Sequence, residues 1–246
     1  MDALIIAAGF GSRLRDVSDS KPLTPIAGVP LLELGARQAK AAGVKRVVVV
    51  TGHEAERIEA ALPAIADRVG IPVVARRVAD WSKPNGWSVM AGAEVIDGNY
   101  LLMMSDHIFS APILTRLAQQ HAADRGVTLA VDYCCDNPLV DPDDATWVKL
   151  DARGFITAIG KTIPAYDAVD CGAFLATPEL ADAIRAAIAE GKAGSLSEGM
   201  QRLADAGRAA TMDIGTAWWL DVDDPRAHAL AEEQAPRELG EIYGTV

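Results

Sequence analysis

The chain has 246 residues, half of them apolar, and 34 acidic against 23 basic residues leave a formal net charge of −11. That length buries a large core in one or two domains, and an acidic chain whose longest basic cluster is Arg76-Arg77 lacks the cationic face that nucleic acid requires. The apolar runs at 3–8, 47–50 and 100–104 have strand lengths, far short of the roughly 20 residues that cross a bilayer, so no transmembrane segment is expected.

In chain order, β-branched runs alternate with helical patterns. The pattern predicts a strand over 3–7, a helix over 31–42 with Gly43 placed to end it, and a strand over 46–51 buried on both faces. A helix over 54–66, a short strand at 73–75, a helix at 89–95, a central strand at 100–105 and a helix at 111–123 follow, then a strand at 128–132. Beyond it the texture changes. Asp136-Asn137-Pro138 and Asp141-Pro142-Asp143-Asp144 are turn chemistry, and 147–151 and 155–159 read as a hairpin around Gly154. A strand at 169–176, helices at 178–190 and 196–206, and strands at 211–214 and 218–222 complete the chain, with 232–246 expected to be a mobile tail. The expectation is one α/β domain: a Rossmann-like, mostly parallel sheet flanked by helices, with a small antiparallel β insertion at about 133–176.

The N-terminus passes from Asp2 straight into Leu4-Ile5-Ile6 without a leader pattern, which reads as a cytoplasmic protein. Three cysteines, the pair Cys134-Cys135 and the distant Cys171, fit neither a disulfide framework nor a Cys-x-x-Cys zinc site and read as reduced structural thiols. The sequence carries no signal for an oligomeric state.

The segment richest in chemistry is Ala8-Gly9-Phe10-Gly11-Ser12-Arg13, directly after the first strand, followed by Ser20-Lys21-Pro22-Leu23. Glycines at the carboxyl edge of a strand let backbone N–H groups approach phosphate oxygens, and nearby cations neutralise them. A dinucleotide fingerprint would need a third glycine at Leu14 and an acid after the second strand, where Thr51-Gly52 stands; a Walker loop would need Gly-Lys-Ser/Thr. Two acids at strand ends, Asp106 and Asp221, supply the oxygen ligands that Mg²⁺ prefers, with Asp223 and Asp224 near enough to replace Asp221. His107, beside one of them, is expected to pack or orient rather than ligate. Trp81, Trp87, Trp218 and Trp219 are candidates for stacking on a base or acceptor, with core packing expected for at least two.

Gly9-x-Gly11-x-Arg13-Leu14, Lys21-Pro22-Leu23, Pro25, Gly28 and Pro30-Leu31-Leu32 together resemble the signature of the nucleotidyltransferases that activate sugar-1-phosphates and related phosphates. The resemblance continues through Asn85-Gly86-Trp87-Ser88, Met103-Met104-Ser105-Asp106, Asp170-Cys171-Gly172-Ala173-Phe174 and Trp218 to Asp223. Within that family, Ser105-Asp106-His107-Ile108-Phe109, Gly160-Lys161, Tyr166 to Asp170 and Ser195-Leu196-Ser197-Glu198 are similar to the CTP:inositol-1-phosphate cytidylyltransferases, with Ser105 for a Gly and Cys171 for a Thr as departures. The resemblance implies Mg²⁺-dependent transfer of CMP from CTP to inositol-1-phosphate. It implies catalytic roles for Arg13 and Lys21 and nucleotide contacts from Ala8, Gly9, Phe10, Gly11, Ser12, Thr51, Asn85, Gly86 and Ser88. Lys161, Asp170, Gly172 and Glu198 would bind the acceptor, and Asp106 and Asp221 the metal. Many relatives are fused to a membrane-embedded transferase that consumes the CDP-inositol, which implies a functional link to a separate membrane CDP-alcohol transferase here. Phosphocholine, aminoethylphosphonate or a sugar-1-phosphate as acceptor, or a non-catalytic nucleotide sensor, are the rival readings.

Overall fold

Buried valine and leucine runs become the strands of one sheet because their branched side chains pack on both of its faces. The computed structural model describes residues 1–122 and 125–244. It begins with β1 (Asp2–Ala7), a glycine loop with a 3₁₀ turn at Ser12–Leu14, a second 3₁₀ turn at Lys21–Leu23, and the small hairpin β2 (Pro25–Ile26) and β3 (Val29–Pro30). Then come α1 (Leu31–Ala41), β4 (Val47–Thr51), α2 (Ala55–Val69), β5 (Val73–Arg77), α3 (Asn85–Ala93), β6 (Tyr100–Met104) and β7 (His107–Phe109). α4 (Pro112–Ala118), β8 (Val127–Asp132), β9 (Trp147–Leu150), β10 (Ile156–Gly160) and β11 (Ala168–Ala176) lead to α5 (Pro178–Ala189) and α6 (Leu196–Asp205). The chain closes with β12 (Ala209–Asp213), β13 (Trp219–Asp221), α7 (Pro225–Glu238) and α8 (Gly240–Tyr243).

Strands β6, β1, β4 and β5 lie parallel and in that order, and β11 joins antiparallel against β6. Parallel neighbours with helical crossovers place the carboxyl ends of β1 and β6 side by side, where α/β sites form. The expected hairpin exists as β9 and β10, but β9 also pairs with the first residues of β11, so the antiparallel part extends the main sheet. Register breaks between Asp170 and Phe174, where β11 leaves β9 for β6, and such an irregularity re-aims side chains next to a site.

Four expectations are corrected. Helix α3 starts at Asn85, four residues before the predicted 89, directly after Pro84, which lacks an N–H and so leaves no donor unsatisfied ahead of the first turn. Helix α4 ends at Ala118 rather than 123, and Ala123 itself lies outside the described residues. The closing strand β13 pairs with β7 in a separate small sheet. The expected mobile tail is mostly helical: Ala235, Leu239 and Ile242 are buried with Ile26, Leu31, Leu34, Ile108, Leu220 and Val222 in one cluster. Thr245 and Val246 of that tail lie outside the described residues. No helix among the described residues is long and apolar enough to cross a membrane.

Candidate active site

The loop after β1 turns sharply at Gly11, whose φ of +60° suits a residue without a side chain; a Cβ there would stand 2.7 Å from the Cβ of Lys21. That close approach lays the buried Lys21 along the loop and delivers its ammonium to the end of β6. Its Nζ is 2.7 Å from Asp106 Oδ2 and also pairs with Asp223. Arg13 pairs with Asp223 and donates from Nη2 to Asp144 Oδ2 at 2.5 Å. The Asp144 carboxylate also meets Lys161.

Two cavities, of about 300 and 330 Å³, open here. One is lined by the glycine loop at Ala8, Gly9, Gly11 and Ser12, together with Lys21, Trp81 and Ser88. The other is lined by Lys161, Asp170, Gly172, Asp144, Asp221 and Trp219. Arg13, Asn85, Met104, Asp106 and Asp223 line both, so they form the seam between the two.

The seam is electrostatically loaded. Asp106 is half-buried, and its partial desolvation by itself raises its pKa, but the Lys21 ammonium and the His107 hydrogen bond hold it far below the usual carboxylate range. Burial disfavours a charge on His107, yet Asp221 and Asp106 push it up to about 9, so at neutral pH its Nδ1–H donates to Asp106 Oδ1 at 2.8 Å. Its ring also lies nearly parallel to that of Trp219, with centroids 6.0 Å apart. Burial pushes Asp170 up to about 6 and keeps Asp221 above its ordinary value. The Oδ1 of Asp221 is buried without a hydrogen-bond partner.

That orphaned oxygen and its neighbours suit a hard cation. Ligand atoms of Asp106, His107 and Asp221, and of Asp144, Asp221 and Asp223, fall into two groups, each with its atoms within 4.8 Å of one another. Five oxygen-bearing or imidazole side chains with carboxylates in the majority match the donor preference of a divalent metal such as Mg²⁺ rather than of a soft one.

Four predicted residues, Phe10, Thr51, Gly86 and Glu198, do not line either cavity. Thr51 is fully buried and spends its hydroxyl on Glu59 Oε1 at 2.6 Å. Gly86 packs against the backbone of the segment before α6, where a Cβ would sit 2.3 Å from Gly194 O. Glu198 caps α6: Oε2 accepts from the N–H groups of Gly194 and Ser195 in a capping box, and Ser197 lines the cavity of Lys161 and Asp170 instead. Phe10 is half exposed at the loop's rim beside His53 and Trp81. Of the other tryptophans, Trp87 donates to Ala193 O and Trp218 to Gln234 Oε1. Asp144 was read from sequence only as turn chemistry, and its contacts to Arg13 and Lys161 place it in the site.

The sequence profile of the MobA-like NTP transferase domain matches residues 3–206. A protein of Rubrobacter xylanophilus named bifunctional IPC transferase and DIPP synthase is 33% identical over 94% of this chain and 51% of its own length. The CMP-5'-(3-aminopropyl)phosphonate synthase of Streptomyces rubellomurinus is 31% identical over 98% of this chain and 40% of its own. This chain therefore spans about half the length, or less, of these relatives. The solved inositol-1-phosphate CTP transferase from T. maritima shares the fold, with a TM-score of 0.83 at 22% identity over 99% of this chain and 95% of that one.

Proposed function

The chain belongs to the family of MobA-like NTP transferase domains, and from that premise we propose that it transfers CMP from CTP to inositol-1-phosphate, giving CDP-inositol and pyrophosphate. The observation that carries this reading is the seam: two cavities, of about 300 and 330 Å³, share Arg13, Asn85, Asp106 and Asp223. A phosphorus atom bonded on one side and attacked from the other belongs at such a seam.

In the proposed reaction an oxygen of the acceptor phosphate forms a bond to the α-phosphorus of CTP, and the bond from that phosphorus to the bridging oxygen breaks. A phosphate monoester has a second pKa of about 6 and is mostly dianionic at neutral pH, so no strong base is needed. Positioning and charge neutralisation supply the rate. The glycine loop would cradle the triphosphate, Arg13 would stabilise charge gathering on the leaving pyrophosphate, and Lys21 would hold the reacting phosphate. Lys161 would hold the acceptor phosphate, with Asp170 and Ser197 facing its hydroxyls. Asp106 and Asp221, with Asp223 adjacent, would hold Mg²⁺, which when bound neutralises phosphate charge and acts as a Lewis acid. The product would be consumed by a membrane CDP-alcohol transferase.

A second reading keeps the chemistry and changes the acceptor. The outer part of the acceptor cavity adds Asp141 and Asp224 to its carboxylates, which would also suit an ammonium group, and the Streptomyces relative is named for an aminopropylphosphonate product. The deciding experiment measures pyrophosphate release with Mg²⁺ for CTP, UTP, dTTP and ATP against inositol-1-phosphate, phosphocholine, aminoethylphosphonate and glucose-1-phosphate. Turnover confined to CTP with inositol-1-phosphate is expected; turnover confined to an aminoalkyl substrate selects the second reading, and none with any pair refutes both.

A further inference from the structure

We propose that Asp144 is a built-in stand-in for substrate phosphate, whose displacement by one substrate prepares the site for the other. The inference rests on the reading above, in which Arg13 serves the nucleotide and Lys161 the acceptor.

Asp144 lies in the turn before β9, and each of its carboxylate oxygens is committed to a different half of the site. Oδ2 accepts from Arg13, on the glycine loop, and Oδ1 pairs with Lys161, at the end of β10. Two oxygens of one anion held between a guanidinium and an ammonium reproduce the way a phosphate engages the same donors. Among the described residues, Asp144 is the one carboxylate paired with both cations: Lys21 pairs with Asp106 and Asp223, and Lys161 with Asp144 alone.

The turn does not need this side chain. Asp141 closes it, its carbonyl accepting from the N–H groups of Asp144 and Ala145 and its Oδ1 from the N–H of Asp143. The Asp144 carboxylate also sits within 4.8 Å of the carboxylate oxygens of Asp221 and Asp223, so an arriving anion adds to a repulsion already present. Its pairs are partly exposed, with Arg13 46% and Lys161 57% accessible, and such pairs are weak enough to be exchanged.

A phosphate that takes either cation brings its charge against the shared carboxylate, and the repulsion between the two anions loosens that carboxylate from the other cation as well. The first substrate to bind therefore frees a cation for the second, and by linkage the favour is mutual.

The test is calorimetric titration of the whole chain with pyrophosphate, with inositol-1-phosphate, and with each in the presence of the other, with EDTA and with Mg²⁺. Wild type is compared with Asp144→Asn and with Asp144→Glu, which restores the anion. Asp144→Asn is expected to bind each ligand alone about three- to tenfold more tightly, and to show a coupling factor lower than wild type by a similar factor, with Asp144→Glu moving back towards wild type. Unchanged or weaker binding by Asp144→Asn, or a coupling factor equal to that of wild type, overturns the proposal. Weakening confined to Mg²⁺ does so too, by assigning Asp144 to the cation. If inositol-1-phosphate binds to neither form, the acceptor reading fails, and the same comparison with inorganic phosphate beside saturating pyrophosphate still decides the role of Asp144.

Discussion

Lys21 Nζ lies 2.7 Å from Asp106 Oδ2, joining a cation from the loop after β1 to the carboxylate at the end of β6. The two strands are parallel neighbours, with Ile6 beside Met104, so the sheet itself brings these side chains to one edge. The ammonium neutralises a carboxylate that would otherwise face Asp221 and Asp223 across the seam.

Replacing Asp106 by Asn keeps the shape and removes the charge. If Asp106 holds the divalent cation, Mg²⁺-dependent pyrophosphate release by Asp106→Asn falls by about 100-fold or more. Steady-state turnover within about threefold of wild type would remove Asp106 from that role.

Arg13 touches Asp144 and Asp223 and lines both cavities. A group that stabilises charge on the leaving pyrophosphate acts in the transition state, so Arg13→Ala should lower kcat by roughly 10²-fold while changing the acceptor KM much less. The opposite pattern in initial-rate kinetics, a raised acceptor KM with kcat kept, would move Arg13 to the acceptor side.

The sheet was legible because its signals are local: the four valines 47–50 and the apolar run ending at Asp106 announce buried strands. The tail was not, because the fully buried side chains of α7 are the small Ala231 and Ala235, with the larger Leu230 only half-buried beside them, and the helix carries Pro236 inside it. Its start was readable, since Asp224 caps the helix ahead of Pro225. Ser195-x-x-Glu198 is likewise a local capping-box pattern, and the resemblance that assigned Glu198 to the acceptor passed over it. Asp144 reaches Arg13 across 131 positions of sequence, a contact that only the sheet topology creates.

Gly172 sits at the break in β11 with φ of +74°, and a Cβ there would stand 2.4 Å from His107 Cδ2. The ring has little room to retreat, held by Asp106 on one edge and lying alongside Trp219. Gly172→Ala should therefore cost about 1–3 kcal/mol in stability and raise the acceptor KM. Thermal unfolding together with acceptor titration checks this; an unchanged Tm with unchanged KM would contradict the packing of Gly172 against His107.

Glu33, on α1, is 1% exposed and ties that helix to α2: Oε1 accepts from Arg37 Nε and Nη2 at 3.1 and 2.6 Å, and Oε2 from Arg68 Nε at 2.9 Å. Arg37 also donates to Ile242 O at 2.9 Å, so the same carboxylate steadies α8. Burial raises the pKa of Glu33, but the hydrogen bonds from Arg68 and Arg37 outweigh it and leave the pKa below the ordinary 4.5. A depressed folded-state pKa contributes stability that is present above 4.5 and disappears as the pH falls through the folded value. Both arginines are partly exposed, which tempers the penalty of breaking the pair, so Glu33→Gln should cost about 1–3 kcal/mol at neutral pH. Urea unfolding of wild type and Glu33→Gln at about pH 7 and about pH 3.5 should show the gap narrowing in acid. A gap that is constant or wider at the lower pH would mean that the ionised carboxylate is not what holds α1 to its neighbours.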